Sequence, residues 1–233
     1  MPSNPPKGFG RHLLERRPHH ERAQPQALAA LTQRQSARSF PPWSAVAINE
    51  TSKTRKIWGP LEFAILQGEG IDIGGGCDPV TPQARRFDLA DGDANLITRH
   101  VQARCDFVYS AHCLEHMRDP RKTSLECWQL VKSGGHLILI VPDEDLYEQG
   151  VFPSQFNAAH TCTFTMGKAR SWSPVSLNAR DLARDLPNAE IIQLTLHDHG
   201  SDRRLLLGGR CFGFRPPAGT FFYVARLTSP ANA

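Results

Sequence analysis

Residues 71–80 read Ile-Asp-Ile-Gly-Gly-Gly-Cys-Asp-Pro-Val, an apolar run that stops at an acid and three consecutive glycines. Ile71 to Ile73 end a buried strand. Glycines directly after such a strand let the backbone turn sharply and lie against a ligand with no side chain intervening. The fold must therefore present a binding loop at the end of a core strand. Several unrelated ligands use such loops.

The chain around this loop alternates strand and helix. A lead-in element from Lys53 to Ile65, partly helical despite Pro60, covers the first strand. A short second strand spans Arg86 to Leu89, Asn95 to Arg104 forms a helix, and Asp106 to Ser110 is a third strand. Asp119 followed by Pro120 opens a helix, with an N-cap acceptor and a proline where its missing N–H costs nothing. Gly134-Gly135 closes it. Residues 136–143 are a continuous apolar run suited to a strand buried on both faces. Residues 144 to about 173 form a polar inserted loop, Pro174 starts a helix over Val175 to Leu186, and strands follow at Glu190 to Leu196 and Thr220 to Leu227. This order predicts an α/β fold: a Rossmann-like, mostly parallel sheet of the seven-stranded type, helices on both faces, and an antiparallel C-terminal hairpin at one edge.

Residues 1–50 carry no sustained periodicity and read as a basic, disordered tail, apart from a helical segment around 26–33; residues 51–233 are the α/β domain. Within residues 1–40 there are seven Lys or Arg against two Glu, so the rest of the chain, with 20 basic and 21 acidic residues, is close to neutral. The basic balance belongs to the tail, which argues against nucleic acid as a partner of the folded body. A transit peptide is the sharper reading of the tail, but Glu15, Glu21 and the prolines weaken it. No apolar stretch reaches the roughly 20 residues of a membrane span. Six cysteines without a CxxC pair or a secretory signal point to reduced thiols and a cytoplasmic location. His112, Cys113 and His116 do not share one helical face and no second ligand pair follows, so no metal is expected.

In open sheets a ligand binds beyond the carboxyl ends of the strands, where strand order reverses. Asp72 and Gly74, Asp88, Asp93, Ser110 to His112, and Asp143 all fall at such ends. A dinucleotide fits poorly, because GxGxxG requires glycine at position 79, where this chain has proline, and Pro79 and Pro82 disfavour the helix a pyrophosphate needs. An adenosine-bearing sulfonium such as S-adenosyl-L-methionine (SAM) fits better.

The motifs DIGGG (72–76), GDA (92–94), SAHCLEHMRDP (110–120) and VKSGGHLILIVPD (131–143) resemble, in order and spacing, those of class I SAM-dependent methyltransferases of the type 11-like group. The resemblance covers about residues 65–145. It implies SAM as cofactor, with Asp72, Gly74 and Gly76 lining the methionine part, Asp88 at the ribose, Asp93 at the adenine, and Ser110, Ala111 and His112 closing the near wall. Asp78 stands where members often have a third small residue; Pro79 matches members with a DIGCG-x-x-P loop.

Methyl transfer to a hydroxyl requires a base, and His is the side chain suited to that at neutral pH. His112, just past the third strand, is the first candidate, and His160, in the loop after Asp143, the second. His116 has a structural role. The acceptor is a small molecule or a sugar- or lipid-linked group. The alternatives are a SAM-binding or regulatory domain without transfer activity, and a nucleotide-dependent oxidoreductase.

Overall fold

A computed structural model describes residues 54–55, 58–197 and 220–228 of the 233-residue chain, with the backbone alone for 220–224. The tail, with the helical segment expected around 26–33, and residues 198–219 lie outside the described residues. In chain order the elements are α1 (Pro60–Ile65), β1 (Gly70–Ile73), β2 (Arg85–Phe87), a 3-10 turn (Ala94–Arg99), β3 (Cys105–Ala111), a second 3-10 turn (Leu114–His116), α2 (Pro120–Gln129), β4 (Val131–Pro142), a π turn (Glu144–Glu148), β5 (Thr163–Thr165), β6 (Ser176–Asn178), α3 (Ala179–Arg184), β7 (Ala189–His197) and β8 (Thr220–Leu227).

Among the described residues the main sheet has six strands in the order β2-β1-β3-β4-β8-β7. The first four are parallel, and β8 is antiparallel to both β4 and β7. This is the expected mostly parallel sheet with its C-terminal hairpin at one edge. Because β1 is flanked by β2 on one side and β3 on the other, strand order reverses beside β1. The glycine run leaves the sheet at that switch point.

Strand alternation sorts the core into two layers. Ile71, Ile73, Val108, Leu137, Leu139 and Val141 pack with Trp128, Leu130 and Leu182 on the side of α2 and α3. Phe107, Tyr109, Ala111, Ile138 and Ile140 pack with Trp58, Ile65 and Leu66 on the side of α1. Both faces of β3 and β4 are thus covered, which is why 136–143 is apolar at every position but its ends.

Four helical or loop expectations are corrected. The Asn95–Arg104 helix is instead a kinked 3-10 turn ending at Arg99, with Leu96 outside helical geometry (φ −133°, ψ 39°). Side chains replace its helical bonding: Asn95 Oδ1 accepts from the Arg118 N–H at 2.9 Å, and Glu126 Oε2 from the Thr98 N–H at 3.2 Å. The helix opened by Asp119 and Pro120 ends at Gln129, before the two glycines. Sheet pairing captures the chain there, with Leu130 O accepting from Cys105 N–H at 2.7 Å. Gly135 instead lets β4 pass β3, since a Cβ on it would sit 2.7 Å from Asp106 O. The third helix starts at Ala179, not near Val175, because Ser176–Asn178 pair in parallel with Thr163–Thr165 and Asn178 caps the helix from the end of that strand.

The last correction concerns 144–173, expected as a loop outside the core. Cys162 and Phe164 belong to the core, and Glu144 is fully buried. Its carboxylate accepts from the Thr163, Ser171 and Ser176 hydroxyls at 3.0, 2.8 and 2.5 Å and from Lys168 Nζ at 2.9 Å. The polar residues that made this stretch look solvated are the donors that a buried carboxylate requires.

Candidate active site

Parallel pairing puts the carboxyl ends of β1, β2, β3 and β4 on one edge. Gly74 follows β1 with φ 84°, a conformation side chains rarely adopt, and a Cβ on it would lie 2.9 Å from Cys113 Cβ. Its N–H donates to Phe87 O at 2.8 Å, tying the loop to the end of β2. Gly76 also has positive φ, at 60°.

Asp72 is fully buried in the middle of β1. Its Oδ2 accepts from the Val80 N–H at 2.6 Å, and its Oδ1 has no hydrogen-bond partner. Burial pushes its carboxyl up to about 7, against the opposing backbone hydrogen bond and the nearby Arg55 guanidinium. An orphaned carboxylate oxygen behind a glycine loop is suited to a cationic group, which would restore the charge that burial suppresses.

Asp88 follows β2 and is half-buried. Its Oδ1 accepts from the Leu89 N–H at 2.8 Å, and its Oδ2 accepts no hydrogen bond among the described residues, which leaves it open to a hydroxyl. Next to it in the chain Leu89 is a large apolar side chain, 92% exposed. Leu89 was not singled out from sequence; an apolar residue just past a strand-ending acid is the signal that was there. Asp93 is engaged on both oxygens. Oδ1 accepts from the Asn95 backbone and side chain, and Oδ2 from Arg118 Nη2 at 2.6 Å. The Asn95 hydrogen bonds, with Arg118, hold it down at about 2.

Ser110 and Ala111 end β3 and are buried, and His112 turns the chain out of the sheet with φ 53°. A non-glycine residue in the left-handed region stores backbone strain of a kind concentrated at functional sites. Its N–H donates to Ile140 O at 2.9 Å, and its Nδ1 lies 3.3 Å from Glu115 Oε1. Cys113, next along, is held protonated, its thiol pushed up to about 12 by burial. Asp143 follows β4 and accepts from the Asp145 and Leu146 N–H groups at 3.0 Å, with burial pushing it up to about 6.

His160, the second candidate, lies between the π turn and β5. It is buried, its Nδ1 is 2.5 Å from Glu148 Oε1, and its ring stacks on Tyr147 and meets His116 edge-on at 4.9 Å. The buried acids Glu115 and Glu148, neither proposed as functional from sequence, sit in this same region.

The Rossmann-like sheet with acids and glycines at its switch point suits a nucleoside-bearing ligand, and the family comparison specifies the class of enzyme. A family model of the methyltransferase domain matches residues 19–186, so the chain belongs to that family. It is a SAM-dependent methyltransferase. Its cofactor is S-adenosyl-L-methionine. No curated protein sequence matches the chain. Among solved structures it is similar to a SAM-dependent methyltransferase from Methanosarcina mazei, at 13% identity and TM-score 0.44 over 74% of this chain and 99% of the other. It is also similar to an arsenic(III) SAM methyltransferase from Chlamydomonas reinhardtii, at 14% and 0.42 over 83% and 76%. A glycopeptide N-methyltransferase complexed with SAM matches at 11% and 0.45 over 77% and 94%. No helix among the described residues is long and apolar enough to cross a membrane.

Proposed function

We propose that the chain methylates a hydroxyl of a small molecule or of a sugar- or lipid-linked acceptor, with His112 as the base. The observation that carries this reading is the strained backbone of His112 at the end of β3, with Glu115 Oε1 3.3 Å from its Nδ1. A carboxylate beside Nδ1 favours the tautomer with the proton there, which makes Nε2 the basic atom. Bound SAM supplies an electrophilic methyl on positive sulfur. As the acceptor oxygen forms its bond to that carbon and the carbon–sulfur bond breaks, His112 Nε2 takes the hydroxyl proton, leaving a methyl ether and neutral S-adenosylhomocysteine.

The cofactor contacts in this reading are Asp72 with Gly74 and Gly76 at the methionine part, Asp88 at the ribose, Asp93 with exposed Leu89 at the adenine, and Ser110 and Ala111 along the wall. The orphaned Asp72 Oδ1 and the uncommitted Asp88 Oδ2 suit these groups. Positioning of donor and acceptor then supplies much of the rate.

The test is transfer of labelled methyl from SAM to a panel of hydroxyl, amine and thiol acceptors, with and without His112→Ala. Hydroxyl products that collapse in the variant support the reading. Products on amines alone, indifferent to His112, overturn it; SAM binding with no turnover on any acceptor points to the regulatory alternative.

A further inference from the structure

We propose that Glu115, His116 and His160 bind a divalent first-row transition cation. The inference is independent of the acceptor assignment above and runs against the absence of a metal expected from sequence. One ligating atom from each of the three residues lies within 4.8 Å of the others. Donors around one ion at about 2.1 Å are at most about 4.2 Å apart, so a small inward turn of the side chains completes the set.

Three further observations point to a ligand. Glu115 is buried with a side-chain exposure of 1%, and its Oε2 has no hydrogen-bond partner. The same holds for Glu148 Oε2, again at 1% exposure. No Lys or Arg among the described residues pairs with either acid, whose Oε1 atoms face imidazoles at 3.3 and 2.5 Å, and an enclosed carboxyl oxygen without a donor is costly. The histidines are also set up as ligands. His116 Nδ1 hydrogen-bonds Ala159 O at 3.1 Å, and a carbonyl only accepts, so Nδ1 carries the proton and Nε2 the lone pair. His160 Nδ1 hydrogen-bonds Glu148 Oε1, so its Nε2 is left in the same condition. An imidazole whose far nitrogen donates to a carbonyl or carboxylate is the usual second-layer arrangement of a metal-binding histidine.

Two imidazoles and one carboxylate favour Zn²⁺, Co²⁺ or Fe²⁺ over Mg²⁺ and Ca²⁺, which take oxygen ligands. Three protein ligands leave positions open for water or an oxygen of an incoming molecule. Because Glu115 also approaches His112, a cation here would stand next to the proposed base; that consequence, unlike the binding, rests on the acceptor reading.

The signal was dispersed in the sequence. Glu115 and His116 are adjacent in the 3-10 turn after β3, but His160 arrives from the far side of the π turn, where the Thr161 hydroxyl donates to Glu115 O at 3.0 Å and Met117 O at 2.6 Å and pins the two segments together.

The experiment uses the full chain without an affinity tag, stripped with a chelator and titrated with Co²⁺ by visible absorption, with Zn²⁺ competition and Mg²⁺ as the control. Glu115→Gln and His116→Gln are measured beside it, with circular dichroism for folding and SAM titration on the same samples. His160 is left intact, because its buried pair with Glu148 makes a variant there prone to unfold. The proposal predicts one equivalent of Co²⁺, displaced by Zn²⁺ and not by Mg²⁺, with affinity reduced at least roughly tenfold in both folded variants. Absence of binding overturns it. Binding that survives both substitutions also overturns it and places the metal elsewhere, for instance on His12, His19 and His20. The SAM titration reports separately on the cofactor site.

Discussion

His160 Nδ1 and Glu148 Oε1 stand 2.5 Å apart with both side chains almost completely enclosed. The pair joins the segment after β4 to the one before β5, and through the edge contact of His160 with His116 it reaches the turn after β3. Buried polar chemistry thus helps to anchor the segment between β4 and β5, alongside the core contacts of Cys162 and Phe164.

Asp72 makes the protein's stability depend on pH. Its folded-state pKa of about 7 lies above the ordinary 3.8, so the native state keeps a proton that the unfolded chain has released. Stability falls as pH rises from about 4 to about 7, and the loss is complete above that window. Urea unfolding across this range should show the slope, and Asp72→Asn should flatten it. SAM affinity should rise over the same window, since a cationic ligand favours the carboxylate.

Asp88 and Leu89 should separate binding from stability. Asp88→Ala removes a carboxylate with one uncommitted oxygen, and loss of a charged hydrogen bond of about 1.5–3 kcal/mol weakens SAM roughly ten- to a hundredfold. Leu89→Ser, at a side chain exposed to solvent, should change folding stability by no more than about 0.5 kcal/mol while still weakening SAM. Calorimetric titration and urea unfolding on the same samples check both.

Gly74→Val combines a disfavoured φ of 84° with a Cβ forced against Cys113. The backbone term alone costs about 1–2 kcal/mol, and the loop must move to relieve it. Calorimetry should show SAM binding lost in a protein whose circular dichroism is that of the wild type.

His112→Ala should lower the rate of transfer about 10²- to 10⁴-fold, the range of a general base, with SAM affinity unchanged. Steady-state kinetics on the acceptor found by the panel will decide. A proportionate loss of SAM binding would assign His112 to the cofactor pocket instead.

Glu144→Ala leaves three hydroxyls without their acceptor in a buried site and should cost roughly 3 kcal/mol. Lys168→Met should also destabilise, by less than Glu144→Ala, because it leaves the fully buried Glu144 Oε1 without its cation while the three hydroxyl hydrogen bonds remain. Denaturant unfolding of the two variants checks the contrast.

The legible parts of the fold were those whose determinants are local or periodic. The run 136–143, apolar on both faces, could only be a central strand, and β1 with its glycine run placed the loop. The mistaken parts were settled by distant partners. Asn95–Arg104 has helical composition, but Arg118 and Glu126 bond its turn into a 3-10 form. Val175–Asn178 would continue a helix, but Thr163–Thr165 pair with it first.

By itself the sequence determined the parallel sheet, its antiparallel hairpin and the acid-and-glycine edge at the switch point, because strand period, glycine turns and strand-ending acids act over a few residues. Tertiary structure alone decided that Asp93 is tied to Arg118, that Asp72 keeps an orphaned oxygen, and that Glu115, His116, Glu148 and His160 meet. Burial and pairing of ionisable groups depend on what the fold brings from 25 to 46 positions away, and no spacing along the chain encodes that.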